Sequence, residues 1–352
     1  MQHLIDEYRE RVQAAARDAR PLRIRGGGSK DWYGGRPDGE ILDTRACAGI
    51  IDYEPTELVI TARCGTPLAE IEAALAERGQ MLAFEPPHFG AGATFGGAVA
   101  SGLSGPRRAH GGALRDFVLG ATLLDGRGEV LRFGGRVMKN VAGYDFARLL
   151  AGSLGTLGLL LEISVKVLPR AVSETTLRFE LAETDAIRTL NEWAGKPLPL
   201  SGSCWHEGVL SLRLSGARAA VEDARRRLGG ETVPDCARFW ESLREQRHAF
   251  FAGDQALWRL SLPSTAGAVA LDGAGLIEWG GAQRWLRAPG DAQSAARIRA
   301  AATAAGGHAT LFRGGDKEVG VFQPLAPALA RIHAGLKAGF DPAGIFNPGR
   351  MY

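Results

Sequence analysis

The chain has 352 residues, 45% hydrophobic and 23% charged, with a formal net charge of +3 from 42 basic and 39 acidic side chains. That length suits about two domains with a sizeable core, and the composition excludes a disordered tail, a collagen-like repeat and a coiled coil. The near-balance of charge excludes a nucleic-acid binder held by phosphate contacts, and four widely spaced cysteines exclude a Cys-rich metal cluster and fit a reducing compartment.

Residues 3–19 carry Leu4, Ile5, Tyr8, Val12, Ala15 and Ala16 at helical spacing, so a helix is predicted there, ended by Pro21. Asp6 and Glu7 fall where a signal peptide needs an apolar core. No apolar run approaches the ~18 residues of a membrane span. Residues 22–25 read as a strand running into Gly26, Gly27, Gly28 and Ser29, and 41–43 and 58–62 read as further strands. A helix is predicted through 77, with Thr66 as its N-cap, Pro67 at its first position and Gly79 as its stop. Residues 117–124 and 130–133 flank Asp125-Gly126-Arg127-Gly128 as a hairpin, and 158–168 is an apolar strand ended by Pro169. Beyond it, predicted strands (178–181, 209–214, 257–262, 283–287) alternate with predicted helices (186–194, 217–228, 239–248, 291–305). A tail helix over 325–338 precedes Phe340-Asp341-Pro342. Three parts are expected: a first domain over 1–170, a second over 171–315, and a C-terminal segment over 316–352.

Glycine is unevenly spread: 26 of the 48 lie within residues 26–160. Dense glycine marks backbone that turns sharply or lies against a ligand; a loop-rich β domain without a ligand is the other reading. The glycines at 26–28 invite a dinucleotide fingerprint, but Ser29 to Pro37 holds too many breakers for the helix that motif requires. No Gly-x-x-x-x-Gly-Lys-Ser/Thr loop occurs either. What fits is a nest, in which successive backbone N–H groups converge on an anion, with the Ser29 hydroxyl as an extra donor. A second small-residue segment runs from Thr94 to Gly105 and a third from Gly152 to Gly158. Together they point to a long ligand with phosphates and a ring.

These segments, with Leu114-Arg115-Asp116-Phe117 and Lys139-Asn140-Val141-Ala142-Gly143-Tyr144, resemble the FAD domain of the vanillyl-alcohol-oxidase (PCMH-type) flavoproteins over about residues 20–170. The terminal Phe340-Asp341-Pro342 and Phe346-Asn347-Pro348-Gly349-Arg350 are similar to the D-lactate and glycolate branch. Ser104-Gly105-Pro106-Arg107-Arg108 and 133–140 resemble the smaller FAD-binding subunits of bacterial glycolate oxidases. The resemblance implies an α+β, two-subdomain PCMH-type FAD domain with a smaller α+β cap over the isoalloxazine. It implies Arg25, Gly26, Gly27, Gly28, Ser29 and Lys30 at the pyrophosphate. It implies Thr94, Gly96, Gly97, Ala100, Ser101, Gly102, Ser104 and Gly105 along the adenosine diphosphate and flavin, joined by Gly155, Gly158 and Asn347. Its partners would be a larger FAD-binding subunit and an iron–sulfur subunit, oxidising a small 2-hydroxy acid. It implies a cytoplasmic place, with the cell membrane reached only through partners.

Two departures shape the expectation. Residues 30–38 lack the His through which many relatives tether flavin, so non-covalent FAD is expected. The His-x-Gly-Asp-Gly-Asn-x-His motif of catalytic D-lactate relatives is missing; residues 307–316 come nearest, with His308 alone, and no metal site is expected. A stand-alone dehydrogenase and a non-catalytic assembly subunit therefore stay open. Oxidising a 2-hydroxy acid needs a base and a guanidinium for the carboxylate. Arg107, Arg108, His110 and Tyr144 are the candidates, against solvated loop charge for the arginines and a core hydroxyl for Tyr144. His206, His248, His308 and His333 read as structural. Trp193, Trp205, Trp240, Trp258, Trp279 and Trp285 read as core or subunit interface.

Overall fold

A computed structural model describes residues 1–135 and 145–351. Tyr144, Lys139 and Asn140 therefore lie outside the described residues. The chain divides into two compact units. Unit one comprises Met1–Leu103, Ala113–Pro169 and Pro324–Tyr352; unit two comprises Ser104–Gly112 and Arg170–Gln323. This differs from a first domain running unbroken to 170. Ser104–Gly112 leaves unit one because its short helix, Arg108–Gly111, packs on strand Leu200–His206 and on the turn Trp279–Gly281 of unit two.

In unit one, the Gln2–Arg17 helix buries Tyr8, Val12 and Ala15, the stripe its spacing predicts. The Tyr8 hydroxyl donates to Asp43 O at 3.0 Å, fixing the helix to strand Glu40–Asp43. That strand pairs in parallel with Leu22–Arg25, and Phe346 bridges Leu22 from the other side. A five-stranded antiparallel sheet runs Ile50–Glu54, Val59–Arg63, Leu159–Lys166, Val118–Leu124, Val130–Gly134 in spatial order. Helix Leu68–Glu77 buries Leu68, Ile71 and Leu75. Thr66 is not its N-cap, as the sequence suggested; Pro67 is, and the Thr66 hydroxyl instead accepts from Gly49 N at 2.9 Å. Thr94 to Gly105 is not an open loop: Phe95–Ser101 is helical, Thr94 caps it by accepting from Gly97 N, and Gly102 ends it at φ 63°.

The C-terminal segment is sewn into unit one. Asp341, 1% exposed, accepts from Ile345 N (3.1 Å), Phe346 N (2.8 Å) and Lys337 Nζ (2.6 Å). Lys337 also donates to Thr156 O and Phe346 O.

Unit two is an eight-stranded antiparallel sheet. Helices Glu183–Ala194 and Arg218–Leu228 bury Ala186, Leu190 and Val221 against one half; helix Ala292–Ala304 buries Ile298 and Ala302 against the other. The region nearest the missing metal motif, His308–Arg313, is a strand of this sheet.

Candidate cofactor site

The strand Leu22–Arg25 delivers the glycine turn to an open cavity. Arg25, Gly26, Gly27, Gly28, Ser29, Lys30, Thr94, Gly97, Ala100, Ser101 and Asn347 line it, with Arg23, Asp31, Leu154 and Arg350. A second, adjoining cavity shares Ile24, Gly26, Gly97, Ala100, Leu154 and Asn347 with it, and adds Gly96, Gly155, Gly158, Thr44 and Cys64. Three glycine segments far apart in sequence thus meet along one continuous cleft.

The glycines have physical causes. A Cβ on Gly27 would lie 1.4 Å from Gly92 O, so two backbones touch where no side chain fits. Gly155, at φ 70°, lies against Asn347, where a Cβ would come within 2.7 Å of its amide nitrogen. Among the described residues, no acceptor takes the backbone N–H of Gly26, Gly27, Gly28 or Ser29. Four neighbouring donors left open beside a cleft fit an anion, because orphaned amides are otherwise costly.

Charge agrees. Arg23, Arg25, Lys30 and Arg350 line the cavity against one carboxylate, Asp31. Asp31 holds Arg25 Nε at 2.8 Å and also pairs with Arg23, so the arginines are oriented rather than neutralised. Lys30 Nζ donates to His88 O at 3.1 Å. Arg350, 8% exposed, donates to Asp31 O (2.8 Å) and Gly35 O (2.9 Å). A net positive, donor-rich cleft suits a pyrophosphate.

Asn347 acts as a bracket. Its Oδ1 accepts from Ile24 N at 2.8 Å, its Nδ2 donates to Leu154 O at 2.6 Å, and its own backbone N–H donates to Leu22 O at 2.9 Å. Its side chain lines both cavities. Cys64 walls the second; contact with the Cys47 thiol and burial raise its pKa, so it stays a protonated, inert wall.

Not every candidate falls here. Gly102 packs against Gly152, with 2.8 Å from its Cβ position to Gly152 Cα. Ser104 and Gly105 belong to unit two, with Arg107, Arg108 and His110. Sequence reasoning missed Arg23, Asp31 and Arg350 as site residues. The alternation in Leu22–Arg25 placed Arg23 and Arg25 on one side, which was a usable signal. Arg350 gave none, being 320 residues from Lys30.

Arg350→Met removes one of the four cations and three hydrogen bonds to the carbonyls of Lys30, Asp31 and Gly35, just after the glycine turn. The FAD dissociation constant is expected to rise about tenfold, read by flavin fluorescence titration. An unchanged constant would make Arg350 a brace only.

In unit two, Arg107 pairs with Glu174 at 3.0 Å, and Glu174 accepts from Ser215 Oγ at 2.7 Å. The Arg108 guanidinium lies 4.4 Å over the Trp279 ring. The surrounding protein lowers the His110 pKa from 6.5, and the Arg213 and Arg107 charges add to this. At neutral pH the imidazole is therefore uncharged and able to accept a proton. No group of three or more potential metal ligands occurs among the described residues, and no helix among them is long and apolar enough to cross a membrane.

A family model described as an FAD binding domain matches residues 3–134. The glycolate oxidase subunit GlcE of Escherichia coli (strain K12) is 52% identical over 343 residues, 97% of this chain and 96% of that one. A D-lactate dehydrogenase of Archaeoglobus fulgidus is 33% identical over 187 residues, 51% of this chain and 41% of that one. A solved structure of alkyldihydroxyacetonephosphate synthase superimposes with a TM-score of 0.64 at 14% identity, over 97% of this chain and 74% of that one, a likeness of fold.

Proposed function

Because the chain belongs to the family of the glycolate oxidase subunit GlcE, we propose that it is the FAD-binding subunit of an oxidase for glycolate or a similar small 2-hydroxy acid. One observation carries the cofactor: the amides of Gly26, Gly27, Gly28 and Ser29, with no acceptor among the described residues, belong to residues that line a cavity with four cations. These amides, with Arg23, Arg25, Lys30 and Arg350, would hold the pyrophosphate of FAD. Ala100, Leu154, Gly155 and Gly158 would let its flat parts lie against backbone. With no His or Cys in 30–38, the attachment is non-covalent. Bound FAD supplies the two-electron acceptor for oxidation at the carbinol carbon. The partners are a larger FAD-binding subunit and an iron–sulfur subunit that takes the electrons, and the complex works on the cytoplasmic side.

The substrate pole is assigned to the segment Ser104–Gly112. Arg108 is assigned as the carboxylate holder, because a guanidinium fork fits a carboxylate. His110, uncharged at neutral pH, accepts the hydroxyl proton. Protonation of His110 removes the base. Activity is therefore present above its folded pKa and is lost as pH falls through that value, which lies below 6.5. His110→Asn is expected to slow flavin reduction by at least about 100-fold, read by anaerobic stopped-flow, with FAD content unchanged.

Anaerobic addition of glycolate, then D-lactate, tests the reading. Bleaching that requires the partner subunits supports an oxidase subunit. Bleaching of the lone chain moves the assignment to a stand-alone dehydrogenase. No bleaching in the assembled complex leaves a structural flavin.

A further inference from the structure

Four strands of unit two place a row of side chains across one face of its sheet. Trp205 stands opposite Ile277, Ile277 opposite Arg284, and Arg284 opposite Leu260. Residues directly opposite in antiparallel strands share a face, and the period of two brings Gly275 onto it beside Ile277. All five line one cavity of about 290 Å³, room for an organic molecule rather than a single water. The cavity is a gap between the two apolar clusters of this unit. Trp205 packs on one, Leu260 and Leu286 belong to the other, and Val269 and Leu271 flank the opening.

Neither backbone nor packing requires glycine at 275. Its φ lies outside the left-handed region, and a Cβ there would meet only Trp285 O within 4 Å, at 3.8 Å. Glycine inside a strand weakens it and marks a close approach by something else. Here the space it leaves is the cavity.

The polar end of the cavity carries both charges. Arg284, 5% exposed, donates from Nε to Gly281 O at 3.2 Å, from one terminal nitrogen to Gly267 O at 2.6 Å and from the other to Ala266 O. A guanidinium has five N–H donors, so two remain without an acceptor among the described residues. The one carboxylate within 4 Å of it among those residues is Glu183, at 3.9 Å, too far for a hydrogen bond. The three carbonyls pin the fork and keep it from closing on Glu183. A second carboxylate, the exposed Glu207, also lines the cavity. Buried charge calls for a partner, and a plain carboxylate would meet Arg284 only against the repulsion of two glutamates. A ligand that carries both signs satisfies the pair. In an α-amino acid the carboxyl carbon and the amino nitrogen lie about 2.5 Å apart, so its two charges fit beside a cation and an anion held this close.

We propose that this cavity binds a free α-amino acid with an apolar side chain. Its carboxylate lies on Arg284, its ammonium on Glu183, and its side chain over Trp205, Ile277 and Leu260, where Gly275 leaves room. The site lies wholly within unit two and does not depend on the cofactor or substrate assignments.

Calorimetric titration of the FAD-loaded full chain with L-leucine tests this. Saturable binding is expected. 4-Methylpentanoate, which lacks the ammonium, and 3-methylbutylamine, which lacks the carboxylate, are each expected to bind at least about tenfold more weakly. Gly275→Leu fills the cavity, so L-leucine affinity is expected to fall at least about tenfold, with flavin content and Tm unchanged. Glu183→Gln is expected to weaken L-leucine about tenfold without weakening 4-methylpentanoate. Should Gly275→Leu fail to fold, that selectivity of Glu183→Gln decides. No binding of L-leucine or L-phenylalanine at about 10 mM would overturn the proposal. Equal affinity for L-leucine and 4-methylpentanoate would overturn it too, as would equal weakening of both by Glu183→Gln. So would full binding by a folded Gly275→Leu, which would put the ligand elsewhere.

Discussion

Gly27→Ala is expected to purify without flavin and to resist reconstitution with FAD. The new Cβ would stand 1.4 Å from Gly92 O, far inside any contact distance, and both partners are backbone. No rotamer change relieves that. The 26–29 turn or the segment around Gly92 must move, and either shift breaks the row of open amides facing the cavity. Forced overpacking costs about 1–3 kcal/mol, so the fold should survive with a lowered Tm while FAD affinity falls by at least about 100-fold. Flavin absorbance per protein and a thermal melt separate the two effects. A variant with full flavin content would mean that the glycine turn does not form the pyrophosphate cradle.

The second large effect is expected at the other end of the chain. Asp341→Ala removes a carboxylate that is 1% exposed and accepts from Lys337, Ile345 N and Phe346 N. Two amides and an ammonium are left short of an acceptor in a buried place. Breaking such a pair costs about 3–5 kcal/mol. The damage is not local in consequence, because the segment it secures carries Asn347 and Arg350 into the cofactor cavity. The expected result is a lower Tm, loss of FAD and faster proteolysis after Phe340. Asp341→Asn, which keeps one acceptor, should fall between. A variant with wild-type flavin content and proteolytic resistance would show that the C-terminal segment does not support the site.

Much of the architecture was legible in the sequence for definite reasons. The Gln2–Arg17 helix, the hairpin around Asp125 and the apolar strand before Pro169 each had one dominant local signal. The strands Ile50–Glu54, Leu200–His206 and Ala274–Glu278 did not. Leu200–His206 contains glycine and two serines, and it is a strand because neighbours on both edges pair with it. The Phe95–Ser101 helix was hidden by its own small residues, although Thr94 and Gly102 are ordinary cap residues. In the site, the glycine turn was visible because φ and close approach restrict those positions to one residue type. Arg350 and Asp31 were not, because pairing over 320 residues leaves no local trace. That an arginine rests on the Trp279 ring was not legible either: composition marks an indole only as bulky and apolar.

The most direct measurement is the visible spectrum of the purified full chain, before and after acid precipitation. The account predicts a yellow protein with about one FAD per chain, all of it released into the supernatant on denaturation. A colourless chain that FAD cannot reconstitute would contradict the cradle at Gly26, Gly27, Gly28 and Ser29, and flavin left in the pellet would contradict non-covalent binding.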